Sequence, residues 1–197
     1  MQFDSVQRSG KRAMLRRIHT LLDEADIVIH YNGLKFDAPT LNKEFVKLGM
    51  RPPAPFKQVD MLRVCRQVFR FESNKLDSIT QSLSIGRKIK HPGFQLWVDC
   101  MKGDQAAWRV MERYNKMDVV LLERVYHRLL PWIKSHPTLR LSVDRLACPK
   151  CSSTRTQRRG EAATKLAVFF RYQCLRCGGW FRNSEKVHAI KKQGVNL

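Results

Sequence analysis

The chain reads as an α/β protein carrying a small cysteine-bearing module toward its C-terminal end, and three observations predict this. Ile27, Val28 and Ile29 form a short β-branched run, Asn32 and Gly33 break it, and Leu41, Phe45 and Leu48 recur behind it at helical spacing. A second short strand is expected at residues 56–60, after the turn-forming Arg51-Pro52-Pro53-Ala54-Pro55, and it too leads into a helical pattern. Downstream, Cys148-Pro149-Lys150-Cys151 and Cys174-Leu175-Arg176-Cys177 make two Cys-x-x-Cys knuckles separated by 22 residues. A chain of 197 residues has room for one ordinary domain and one appendage.

Taken in order, residues 1–6 are expected as a strand and 11–22 as a helix with Leu15, Ile18, Leu21 and Leu22 on one face. Asp37 falls where the next strand gives way to a helix, the place where α/β folds put their chemistry. Ahead of Ala38-Pro39 it also suits a helix N-cap. Asp60 stands at the following strand-to-helix junction and reads as a cap rather than a ligand. Cys65 and Cys100 sit inside helical patterns, residues 61–69 and 94–101, and read as small apolar side chains. Residues 86–93 form a basic turn that either touches a phosphate backbone or stands as a solvated loop, and its His91 is not expected to be catalytic. The long helix expected at residues 105–130 puts Trp108, Met111, Tyr114, Leu121, Leu122, Val125 and Leu129 on a broad inward face. That face anchors Asp118, one turn after Tyr114 and on the same side. Pro131 ends or bends the helix.

The close cysteine pairs let Cys148, Cys151, Cys174 and Cys177 meet on one zinc ion, and Gly178-Gly179 relieves crowding where the backbone folds around it. Disulfides or a redox dithiol are the alternative uses of such pairs. Residues 166–172, rich in aromatic and β-branched side chains, run into Cys174 and predict a zinc-ribbon hairpin. Arg155, Arg158, Arg159, Lys165, Arg171, Arg176 and Arg182 surround it. Phe170, Tyr172, Trp180 and Phe181 offer either stacking faces or a small core, the core being expected for most of them and stacking for Trp180. The expected division is a first domain at 1–137, a linker at 138–147, the ribbon at 148–184 and a basic, mobile tail at 185–197.

Charge sets the class of partner. There are 37 Lys and Arg against 17 Asp and Glu, a net charge of +20. Binding to a polyanion follows, because neutralising phosphates releases condensed counterions; a solvated basic surface is the plainer reading. No apolar run approaches the length of a membrane span and no signal-peptide pattern occurs, so a cytoplasmic protein is expected.

Three stretches carry a resemblance: Asn32, Phe36, Asp37 and Leu41; Tyr114 with Asp118; and the run from Ser73-Asn74-Lys75-Leu76-Asp77 through His91-Pro92-Gly93-Phe94-Gln95-Leu96-Trp97. Over residues 1–137 the chain resembles the DEDD-type (DnaQ-like) 3'-5' exonucleases of the RNase H-like superfamily, including the proofreading domains of family-B DNA polymerases and phage-encoded exonuclease subunits. The resemblance implies an RNase H-like mixed sheet flanked by helices and metal-dependent removal of nucleotides from DNA 3' ends, in phage replication or proofreading. It implies two Mg2+ or Mn2+ ions, with Asp37 on the outer metal, Asp118 on the metal that activates water, and the Tyr114 hydroxyl orienting that water. A single-stranded or frayed 3' end would then contact Asn32, Lys35, Phe36, Arg87, Lys88 and Lys90, with Arg158, Arg159, Arg171 and Trp180 contributing from the ribbon. A DNA polymerase is an implied partner.

One motif of that family has no counterpart. Its opening Asp-x-Glu supplies two of the four metal-binding carboxylates, and no Asp-x-Glu occurs in this chain. Asp4, Asp23, Glu24 and Asp26 read as solvated or capping groups rather than substitutes. Only 26 residues precede Ile27, where the family places three antiparallel strands and a helix. The expectation is a sheet that starts at the family's third strand, with an exposed edge at residues 1–6, its missing strands supplied by a longer product or a separate N-terminal chain, and an isolated chain that binds DNA but does not degrade it efficiently. The alternative is a non-catalytic nucleic-acid-binding protein that keeps the scaffold.

Overall fold

The computed structural model describes residues 3–138 and 146–189. They fall into two compact units, Met1–Tyr126 and His127–Leu197. The first unit opens with α1 (Val6–Ser9) and α2 (Lys11–Asp23), followed by β1 (Ile27–His30), α3 (Asp37–Lys47), β2 (Lys57–Asp60) and α4 (Met61–Val68). After these come α5 (Leu76–Ser82), α6 (Phe94–Met101) and the long α7 (Gln105–Leu129), whose last three residues belong to the second unit. Strands β1 and β2 are parallel, in register from Ile27 opposite Lys57 to His30 opposite Asp60. A parallel pair needs a crossover, and α3 supplies it.

Burial follows the helical periodicity. Leu15, Phe45, Val59, Met61, Cys65, Ile79, Leu121 and Val125 are withdrawn from solvent. Met61, Leu62, Val64 and Cys65 give α4 its inward face, and Asp60 caps it by accepting from the Leu62 N–H at 3.0 Å, as expected. Helix α7 buries Leu121, Val125 and Leu129 while Glu123 and Arg124 face out, so an apolar stripe fixes its rotation and with it the direction of Tyr114 and Asp118. A 3₁₀ turn over Leu130–Trp132 follows, with Pro131 inside it.

Two expectations for the first unit fail. Residues 3–6 form no strand. The Ser5 hydroxyl accepts from the Arg8 N–H at 3.1 Å, and the Asp4 carboxylate accepts from the Ser5 N–H and from the Ser9 hydroxyl, so local polar bonds start α1 instead. Residues 1 and 2 lie outside the described residues. Leu21 is exposed although Leu15 on the same helix is buried.

The second unit holds a three-stranded antiparallel sheet in sequential order, β3 (Thr156–Ala163), β4 (Ala167–Cys174) and β5 (Trp180–Ala189). The hairpin expected from the sequence is therefore one half of a larger sheet. Chain beyond residue 184, expected as tail, continues as β5 through Ala189 because β4 offers it a full pairing edge, Gln173 opposite Trp180 through Ala167 opposite Ala189. Residues 139–145 of the expected linker and 190–197 of the expected tail lie outside the described residues.

Candidate functional site

A cleft of about 490 Å³ opens in the first unit, lined by Tyr31, Lys75, Asp77, Lys88, Asn115 and Asp118 among others. Its polar groups come from the loop after β1, the start of α5, the basic turn and α7. Asp118 projects from α7 one turn after Tyr114. Lys88 reaches across from the turn before α6 and donates to Asp118 Oδ2 at 2.6 Å and to the Tyr114 hydroxyl at 3.5 Å. Its ammonium also lies 5.3 Å from the Tyr114 ring centre. The turn itself is held by Asp77, whose carboxylate accepts from the Lys88 N–H at 2.8 Å and from Gln81 Nε2 at 2.7 Å. Tyr31 donates its hydroxyl to the Asn74 carbonyl at 2.6 Å at the rim.

The electrostatics follow from burial and pairing. Burial pulls the Lys88 ammonium down, but the hydrogen bond and charge of Asp118 outweigh it, so Lys88 titrates above its ordinary value. Burial and the neighbouring Asp118 charge push the Tyr114 phenol up, so it keeps its proton at neutral pH. Asp118 Oδ1 is buried with no hydrogen-bond partner among the described residues. A buried carboxylate oxygen without a donor costs free energy, and as a hard oxygen ligand it suits a divalent cation. Oδ2, by contrast, already carries the Lys88 ammonium.

Asp37 opens α3 at its first helical position, with Phe36 rather than Asp37 at the N-cap. Its carboxylate is exposed, forms no ion pair or hydrogen bond among the described residues, and is not among the groups lining the cleft. The loop that places it is tightly built. Asn32 adopts φ 66°, and its N–H donates to the Asp60 carboxylate at 2.8 Å. Gly33 is required by space: a Cβ there would stand 2.7 Å from the His30 ring. One buried carboxylate, Asp60, thus ties the loop after β1 to the helix after β2. Lys35 and Phe36 are exposed on this loop, and Arg87 and Lys90 are exposed on the basic turn.

Lys88 is the point at which the expected roles change. The sequence reading makes it a phosphate contact, whereas in the structure its charge is spent on Asp118, 2.6 Å away. Asp77 enters the cleft without having been singled out as a site residue, since a lone Leu-Asp pair opening a short helix carries no signal of its own.

In the second unit the four cysteine sulfurs lie within 4.8 Å of one another and form the sole cluster of three or more such ligands among the described residues. Cys148 and Cys177 are 3.7 Å apart, as are Cys151 and Cys174. A tetrahedral zinc with bonds of about 2.3 Å sets its sulfurs about 3.8 Å apart, so the cluster fits one ion. Burial raises the Cys174 thiol, but the backbone N–H groups of Cys177 and Arg176 more than offset this and bring it down to about 7. The Gly179 N–H donates to Cys177 Sγ at 3.4 Å, and Gly178 takes φ 75° in the turn. Lys150, between the first two cysteines, is buried and donates to the Leu130 and Pro131 carbonyls at 3.1 and 2.8 Å.

The sheet beside the cluster interleaves arginines with rings. Arg158 lies 3.5 Å from the Phe170 ring centre, Arg182 is 4.3 Å from Phe169 and Arg171 is 5.3 Å from Trp180. Tyr172 stacks on Phe181 at 5.6 Å, while Trp180 is exposed. Arg158 also meets Glu161 at 3.6 Å.

Residues 1–130 match a family model described as the RNase_H superfamily, and the chain belongs to that superfamily. Among solved structures the chain is similar to the family B DNA polymerase from the hyperthermophilic archaeon Pyrobaculum calidifontis, with a TM-score of 0.55 and 18% identity. The likeness covers 66% of this chain and 20% of that one, and at this identity it is a likeness of fold. No curated protein matches the chain. No helix among the described residues is long and apolar enough to cross a membrane.

Proposed function

We propose that this chain is a metal-dependent 3'-5' exonuclease of the DEDD type that acts on single-stranded or frayed DNA ends, in phage replication or proofreading beside a DNA polymerase in the cytoplasm. The observation that carries the reading is Asp118 on α7, one turn after Tyr114, with a buried and unpartnered Oδ1 in a cleft of about 490 Å³. Asp118 and Asp37 are the residues that would hold Mg2+ or Mn2+. When bound, such ions stabilise the charge that develops on the attacking and leaving oxygens of a phosphodiester. The chain's own groups do the rest. Tyr114 keeps its phenolic proton and can orient a water, Lys88 offsets the negative charge of Asp118, and Asp77 fixes the turn that carries Lys88. The four cysteines form a structural zinc ribbon whose arginines and Trp180 recruit the strand.

The family's Asp-x-Glu has no counterpart here, so the proposed site lacks two of its carboxylates. Degradation of a 5'-labelled oligonucleotide with Mn2+ should therefore be weak with this chain alone and rise when a segment bearing Asp-x-Glu is supplied. In the completed enzyme Asp37→Ala or Asp118→Ala should abolish shortening from the 3' end, and Tyr114→Phe should slow it by about a hundredfold. Degradation that survives both aspartate changes would overturn the site. The second reading, a nucleic-acid-binding protein without activity, draws on Lys88 already neutralising Asp118 and on the position of Asp37 outside the cleft lining. Binding without degradation in the completed assay would favour it.

A further inference from the structure

Helix α6 sorts its side chains onto three faces. Leu96 and Cys100 are buried and pack with Ala107, Trp108 and Met111 of α7. Gln95 and Asp99 bond each other at 2.7 Å on a polar side. Phe94, Trp97 and Met101, at i, i+3 and i+7, form a third stripe that is 81%, 42% and 86% exposed. The helix has already filled its inward face, so folding gives no reason for three large apolar side chains on another. The stripe also leads somewhere. Trp97 meets His91 edge-on at 5.2 Å, His91 meets Tyr114 at 4.6 Å, and Trp97 lies 6.2 Å from Tyr114. Ring surface therefore runs unbroken from Trp97 to the residue one turn before Asp118.

We propose that Phe94 and Trp97 form a stacking platform for the unpaired bases of a DNA strand whose 3' end is delivered to Tyr114 and Asp118. This deepens the nuclease reading and rests on it. Two features identify the occupant. Flat ring faces accept any base, which suits a site that must take strands of every sequence. Arg87, Lys90 and Lys102 stand in the turn before the helix and at its end, exposed and without a carboxylate partner among the described residues, as a phosphate backbone requires. A protein partner for the same stripe is an outcome of the test.

The test uses the zinc-loaded full chain and a short oligothymidylate carrying 5-iododeoxyuridine a few nucleotides before its 3' end. Photocrosslinking should map to Phe94 or Trp97. In anisotropy titrations Phe94→Ala and Trp97→Leu should each weaken binding by about five- to a hundredfold. The dependence of affinity on salt should stay the same, because no charge is lost. Paired Arg87→Gln and Lys90→Gln changes should instead flatten that dependence. Should Trp97→Leu fail to fold, the exposed Phe94→Ala carries the test. Wild-type affinity in the foldable variants, or crosslinks confined to residues 146–189, would overturn the platform and leave the stripe to a protein partner. The readout is binding, not turnover. Degradation that persists in Asp118→Ala would sink the nuclease site while leaving the platform to stand or fall on the crosslink.

Discussion

In the first unit the polar groups of the cleft come from far apart in the chain: Asp77 opens α5, Lys88 sits in a turn and Asp118 lies midway along α7. In the second unit four cysteines come from two short turns at one end of a single sheet. The cleft depends on the packing of α7 against the rest of its unit. The cysteine cluster depends on two tight turns, and the zinc proposed for it would tie them together. Sites of the first kind fail gradually as packing loosens, whereas a site of the second kind is lost when its ion leaves.

The largest expected effect tests that contrast directly. Protein purified without chelator should carry about one zinc per chain, and paired Cys148→Ser and Cys151→Ser changes should remove it. Structural zinc contributes about 10 kcal/mol or more in small modules, so the sheet of the second unit should melt while the first unit keeps its own thermal transition. Near-ultraviolet circular dichroism from Trp180 and Tyr172 reports the loss. A folded, metal-free second unit would break the comparison.

A smaller effect is expected at Asp60, where one carboxylate serves two elements. Asp60→Ala leaves the N–H groups of Asn32 and Leu62 without their acceptor. The cost should be about 2–3 kcal/mol in urea unfolding of the first unit, and Asp60→Asn should recover much of it because an oxygen acceptor remains. An Asp60→Ala protein as stable as wild type would show that the loop after β1 is held by something else.

The smallest effect is electrostatic. Lys88 titrates above its ordinary 10.5 because Asp118 holds its proton. The raised folded value means that the pair's stabilising contribution is fully present below the unfolded pKa and is lost only as pH rises through the folded one. The pair is partly exposed, with side chains 27% and 23% accessible, so its contribution should be about 1 kcal/mol. Lys88→Met should lower stability by that amount at neutral pH and converge on the wild type once pH has risen past the raised folded value of Lys88. A gap that persists at high pH would assign the loss to packing of the lysine stem instead.

Much of this was legible in the residues. The β-branched run and Asn32-Gly33 placed β1 and its loop, the inward stripe placed α7, and Asp60 declared itself a cap by its position. Tyr114 and Asp118 share a face because four residues make about one turn, whatever surrounds them. The two knuckles announced that the four cysteines meet in one cluster, because close pairs at such spacing bring their sulfurs to one point.

Tertiary packing decided the rest. Lys88 reads as one basic residue among many until a turn held by Asp77 brings it to Asp118. The opening residues look strand-like, but Ser5 and Asp4 find local hydrogen-bond partners first. Strand β5 extends past the expected end of the ribbon because β4 offers it an edge, a fact about pairing rather than composition. Trp97 and Phe94 carry the same helical spacing as core residues, and only the filled inward face of α6 shows that they point elsewhere. Periodicity and capping act within a few residues, so the sequence states them outright. Which charges meet, and which apolar side chains stay exposed, depends on groups distant in the chain, and only the folded structure brings those together.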